Sequence, residues 1–186
     1  MVIAPPESLF DQLYRVEGKA EIIGGRIVPL MATGRMPINA ALEIAVSLRI
    51  YGKAAKLPGI AVGDNAGFIV RLPNRQSFSP DAAYYEGPNS GMKFFDGAPL
   101  FAVEVRSEND YGDPAEEEIV AKRRDYFAAG TIVVWDVDLL GDEVVRKYTA
   151  SGGAEIPVAV FRRGDVADAE TSVPGWTMPV NDLFEN

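Results

Sequence analysis

Three side chains carry the chemistry that residue type and spacing reveal. Asp81 directly follows Pro80, Glu104 sits inside the apolar run 100–105, and Lys122 falls within the apolar stripe of a helix predicted over 114–129. An ionised carboxylate buried without a partner is costly. Side chains alternate along a strand, so Phe101, Val103 and Val105 share one face, and Ala102, Glu104 and Arg106 share the other. Arg106 is therefore one available partner for Glu104. Lys122 is another, because a strand and the helix that follows it pack together, and one ion pair accounts for two misplaced charges. Asp81 lies far enough upstream to occupy a neighbouring strand. Two carboxylates and a lysine beside strand ends suit a divalent cation such as Mg²⁺ or Mn²⁺. Such an ion polarises a phosphodiester and acidifies bound water, while the lysine orients that water or steadies developing charge.

Composition removes competing chemistries. The 186-residue chain has no histidine and no cysteine. That excludes Ser-His-Asp and Cys-His nucleophiles, cysteine zinc sites and histidine-metal motifs. Hydrophobic residues make up 47% and charged residues 24%, as in a globular protein. A net charge of −9 argues against a broad nucleic-acid-binding surface but leaves room for a local cleft. No run approaches the ~20 apolar residues of a membrane span. The opening MVIAPPESLF has no signal-peptide character, so no membrane partner and a cytoplasmic location are expected.

The elements that must position these residues follow from pattern. Residues 7–16 read as a helix after a Pro5-Pro6 start signal, and 20–30 as a hairpin around Gly24-Gly25 that opens with Glu21. A helix over 38–51 presents Leu42, Ala45, Val46 and Leu48 as its apolar face. Strands are predicted over 60–62 and 68–72 around the turn 63–65, then over 82–85, with loops over 73–79 and 86–97. In the helix over 114–129, Asp113 is the candidate N-cap and Gly130 the left-handed C-cap. Ala115, Ile119, Lys122, Tyr126 and Ala129 form its inward stripe, with Arg123, Arg124 and Asp125 off it. Residues 131–137 and 144–148 read as a strand pair, 156–161 as a further strand, and 173–184 as an irregular closing segment. The expectation is one domain over 1–186.

The ordered pieces resemble a known pattern. Pro80-Asp81 followed by Glu104-Val105 in an apolar strand is similar to the PD-(D/E)XK nuclease signature. The series Glu21-Ile22-Ile23-Gly24-Gly25-Arg26-Ile27, Pro80-Asp81-Ala82-Ala83-Tyr84, Val103-Glu104-Val105-Arg106-Ser107 with Asp110, Lys122-Arg123-Arg124-Asp125-Tyr126, Ala129-Gly130, Val134-Trp135-Asp136-Val137-Asp138 and Val173-Pro174-Gly175-Trp176 resembles the Uma-two family of restriction-endonuclease-like proteins. The resemblance implies an α/β (α+β mixed) restriction-endonuclease-like core, with a mixed central sheet flanked by helices and an N-terminal β-hairpin. It implies Asp81, Glu104 and Val105 as ligands of Mg²⁺ or Mn²⁺, Lys122 as the lysine, Glu21 as an accessory group, DNA as substrate and a homodimer. Two positions depart from the pattern. Arg106 stands where the wider superfamily has its lysine, and residues 36–39 lack the family's common histidine.

These residues lead to a metal-dependent endonuclease in which Asp81, Glu104, Lys122, Glu21 and Arg106 form the catalytic set. A nuclease-fold protein acting as a non-catalytic binding or scaffold module is the alternative. A glycosidase using Asp81 and Glu104 as its acid and base ranks last because it leaves Lys122 without a role.

Overall fold

The computed structural model describes residues 7–184, so Pro5-Pro6 lies outside the described chain. Helix α1 (Leu9–Leu13) begins at Ser8, whose side chain accepts a hydrogen bond from the Asp11 N–H. It is shorter than expected because it buries only Leu13, too little to sustain further turns. Strands β1 (Ala20–Ile23) and β2 (Arg26–Pro29) form the predicted hairpin. Gly24 and Gly25 take φ of 56° and 71°, the left-handed pair that a two-residue turn of this type requires.

Helix α2 (Arg35–Ala54) buries Ala40, Ile44, Leu48 and Gly52, spaced by four, together with Ala41 and Ala45. Two members of the expected face are instead exposed, Leu42 at 57% and Val46 at 41%. The inward face mixes Ile44 and Leu48 with alanines and Gly52, and a Cβ built on Gly52 would stand 3.8 Å from the Tyr84 ring, in ordinary contact.

β3 (Ile60–Gly63) and β4 (Phe68–Ile69) flank the expected turn but belong to different sheets. β4 joins β5 (Ser77–Phe78) and, in parallel, β7 (Phe95–Asp96), two short strands inside segments expected to be loops. Between them runs β6 (Ala82–Tyr85), then β8 (Phe101–Val105), helix α3 (Asp113–Ala129), β9 (Val133–Val137), β10 (Val145–Thr149) and β11 (Ala159–Phe161). Gly112, at φ 90°, turns the chain into α3, and Asp113 is the first helical residue rather than the cap. β12 (Val166–Asp168) and β13 (Thr177–Pro179) pair antiparallel, and a 3-10 turn closes the chain at Val180–Phe184. The tail is thus regular where an irregular segment was expected. Trp176 explains this: it packs 5.1 Å from Trp135 between ring centroids, and its indole N–H donates to the Ser47 hydroxyl on α2.

The central sheet has the order β11-β10-β9-β8-β6-β3. β8 and β9, joined through α3, are its parallel pair, and its other neighbours are antiparallel. Phe101, Val103 and Val105 point into a core with α2, Trp135 and Trp176. Ala102 and Val134 point to the opposite face, where Tyr126 of α3 and Phe78 of the small sheet stack at 4.0 Å. The alternation expected for residues 101–105 is therefore observed, and it delivers Glu104 to the α3 side. Among the described residues no helix is long and apolar enough to cross a membrane.

Candidate active site

Asp81 stands just before β6, where that strand ends beside β8. Its own N–H donates to the Val103 carbonyl (3.0 Å), and its Oδ2 accepts from the Val105 N–H (2.8 Å). The carboxylate thereby continues the β-ladder past the last strand residue, fixed on the edge of β8. A strand residue presents its N–H and C=O to the same neighbour, so the Val105 carbonyl is on this side too.

Glu104 projects to the other face of β8, toward α3. Lys122 Nζ lies 2.8 Å from Glu104 Oε2, and the Tyr126 hydroxyl donates to Oε1 at 2.6 Å. Lys122 and Tyr126 are one helical turn apart, which lets both reach a single carboxylate. Lys122 also lies 3.1 Å from Oε1 of Glu21, which the hairpin delivers from the far side. Glu21 is almost fully buried: Oε1 also accepts from the Ser79 N–H (2.9 Å), and Oε2 pairs with Arg75. Arg75 in turn donates to Asp125 of α3 at 2.8 Å. Both Glu21 oxygens are thus engaged, and its contacts make it a holder of Lys122 and Arg75. Glu21, Arg75, Glu104, Val105, Lys122 and Tyr126 line a cavity of about 250 Å³ between β8, α3 and the hairpin, and Asp81 stands outside that lining.

Electrostatics follow from this crowding. Burial pushes the Glu104 carboxyl above its ordinary value, and although Lys122 works against this, the neighbouring Asp81 and Glu21 charges reinforce it. For Glu21, burial works in the same direction but Lys122 and Arg75 outweigh it and hold the carboxyl below its usual range. Burial opposes the Lys122 charge, yet Glu104 and Glu21 overcome it and raise its pKa. Tyr126 is held protonated by burial and by Glu104.

Arg106 is not a partner of Glu104. Its guanidinium makes two bonds of 2.7 Å to Asp136 on β9 and a further ion pair with Glu116 of α3. Arg123 joins the same Asp136 at 3.0 Å. Arg123 and Asp125, expected off the buried stripe, are both buried, because the flanks of α3 are ion-paired to β9 on one side and to Arg75 on the other. Glu116, in the first turn of α3, is occupied by Arg106.

Sequence reasoning missed Lys19. Its ammonium lies 2.7 Å from Asp81 Oδ1 and 2.6 Å from Asp64. Arg75 was missed as well. Neither has a periodic signal, since Lys19 precedes Asp81 by 62 positions and Arg75 follows Glu21 by 54. Counted together, three cations (Lys19, Arg75, Lys122) face five carboxylates (Glu21, Asp64, Asp81, Glu104, Asp125), which leaves a formal charge of −2. Among the described residues no three acidic side chains converge as a ready cation cage.

A mixed sheet whose parallel pair is crossed by one helix, with Asp81 just before β6 and Glu104 on the adjoining β8, is the restriction-endonuclease-like fold. The crystal structure of "a putative nuclease belonging to DUF820 from Anabaena variabilis ATCC 29413" superposes with a TM-score of 0.69 at 15% identity, over 96% of this chain and 98% of that one. The Uma2 family model, described as "Putative restriction endonuclease", matches residues 8–181, and the chain belongs to that family. No curated protein matches it.

Proposed function

We propose that the chain is a divalent-cation-dependent endonuclease that hydrolyses DNA phosphodiester bonds. The observation that carries this reading is the pairing of two carboxylates at the end of β8: Glu104, held by Lys122 and Tyr126 in the cavity, and Asp81, fixed on the N–H of the next residue, Val105, close enough for its charge to act on Glu104, within an ion-pair network that has a surplus of negative charge. The donor set fits a hard cation: two carboxylates, the Val105 carbonyl and water are all-oxygen ligands suited to Mg²⁺ or Mn²⁺. When bound, such an ion acidifies water and offsets charge on a phosphate. Without it, this acidic site would repel a polyanion.

The chain's own residues then take distinct parts. Asp81 and Glu104 hold the cation, and Val105 contributes through its backbone. Lys122, charged and anchored from two sides, orients water or offsets charge developing on the phosphate oxygens. Glu21 and Arg75 are positioning residues that keep Lys122 aimed. Arg106 acts at a distance by tying β8 to β9 and α3. A homodimer belongs to the same reading; Leu42, Val46 and Ile50 supply an exposed apolar stripe on α2, and sedimentation velocity at micromolar concentration tests it.

The direct test is cleavage of single- and double-stranded DNA with Mg²⁺ or Mn²⁺. Glu104→Gln and Lys122→Met should each lose at least about 100-fold in rate. Variants that cleave as fast as the parent chain refute the assignment. A folded protein that binds neither ion supports the non-catalytic binding module instead.

A further inference from the structure

We infer that Lys19 is a built-in counter-ion that competes with a divalent cation for Asp81, with Asp64 as its alternative resting place; this rests on the proposed cation site. The geometry is specific. Asp81 has two carboxylate oxygens: Oδ2 accepts from the Val105 N–H at 2.8 Å, and Oδ1 receives the Lys19 ammonium at 2.7 Å. A cation that binds Asp81 through Oδ1 must therefore share or take the position of that ammonium. The Val105 bond is part of the backbone ladder and cannot readily move, whereas Lys19 sits on a flexible four-carbon stem.

The second acceptor makes release possible. Lys19 Nζ lies 2.6 Å from Asp64, which sits just past β3, on the opposite side from the β8 edge that fixes Asp81. A lysine that lets go of Asp81 keeps one charge-assisted partner, so it is not left uncompensated. Lys122 also has two carboxylate partners, but one of them, Glu21, is enclosed at 2% side-chain exposure, whereas Lys19's partners Asp81 and Asp64 keep 15% and 28%. The two lysines thus divide the work: Lys122 stays fixed on Glu104, and Lys19 gives way at Asp81. While no divalent ion is bound, Lys19 keeps the two carboxylates of Asp81 and Asp64 from repelling one another.

Two measurements on the full chain test this. Isothermal titration with Mn²⁺ should show Lys19→Met binding about tenfold more tightly than the parent, the size expected for removal of one charged hydrogen-bond competitor. Lys19→Arg, which keeps the charge, should stay near the parent value. In the unmodified protein, the rate of Lys19 acetylation, followed by peptide mass spectrometry, should rise several-fold at saturating Mg²⁺ while Lys122 stays protected. Equal or weaker Mn²⁺ affinity in Lys19→Met, or Lys19 labelling indifferent to Mg²⁺, overturns the inference. If the parent binds Mn²⁺ and Lys19→Met merely equals it, the counter-ion role alone falls. If neither binds, the cation site itself falls with it.

Discussion

Removing the Lys122 ammonium should destabilise the protein in a pH-dependent way, and the structure sets the size of the effect. Lys122→Met keeps the length and the apolar stem but strips the cation shared by Glu104 and Glu21. Truncating one partner of a fully buried ion pair costs about 3–5 kcal/mol. Lys122 and Glu104 side chains retain 20% and 24% exposure, so water screens part of the loss, and ~2–3 kcal/mol at pH 7.5 is expected. The sign with pH follows from linkage. Lys122 has a raised folded-state pKa, so its stabilisation is fully present below its unfolded pKa and is lost only in strong alkali. Glu104 already has a folded pKa above the unfolded value of 4.5, and losing Lys122 raises it further. The native variant then binds a proton more tightly than the unfolded chain, and acid relieves it. The gap between variant and parent should accordingly be widest above neutrality and shrink as pH falls from 7.5 to 5. Glu21 changes in the same direction but less, because Arg75 and the Ser79 N–H still hold it. Urea unfolding at several pH values reads this directly. Adding Glu104→Gln to Lys122→Met should recover ~1–2 kcal/mol, because the orphaned charge is gone. A loss under ~1 kcal/mol at pH 7.5, or a loss unchanged at pH 5, refutes the electrostatic reasoning.

Further outcomes follow from the supporting contacts. Arg106→Ala should cost ~3–5 kcal/mol in urea unfolding, since the side chain is 4% exposed and Asp136 would keep only Arg123; Arg106→Lys should recover less than half, because an ammonium cannot span both Asp136 oxygens. Tyr126→Phe removes the 2.6 Å bond to Glu104 and should cost ~1–2 kcal/mol. Carboxyl NMR should also show the Glu104 pKa rising in Tyr126→Phe; a fall would contradict the assigned hydrogen bond. Gly130→Ala forces a Cβ into φ 110° at the end of α3 and should cost ~1 kcal/mol in thermal unfolding.

What residue order alone determined is local. Alternation in 101–105 put Glu104 on one face, helical periodicity put Lys122 and Tyr126 on one stripe a turn apart, and the βαβ connection left those two surfaces nowhere to go but together. That is why Lys122 was legible as one of two cations within reach of Glu104, while the choice of Lys122 over Arg106 came with the fold. The Gly24-Gly25 turn and the left-handed Gly130 were legible for the same reason, since each depends only on its neighbours. What the tertiary structure decided is which distant charges meet. Lys19 reaches Asp81 because the hairpin folds over the end of β6, Arg75 reaches Glu21 from a loop that pattern left featureless, and Arg106 turns to Asp136 because β9 lies parallel beside β8 in register, Glu104 opposite Asp136. Coulomb attraction carries no sequence period, so a charge has no spacing by which to announce its partner. Helix α2 shows the same limit for packing: of the expected face Ala45 and Leu48 are buried, but Leu42 and Val46 are exposed, because packing on the sheet turned the helix toward Ala40, Ala41, Ile44 and Gly52.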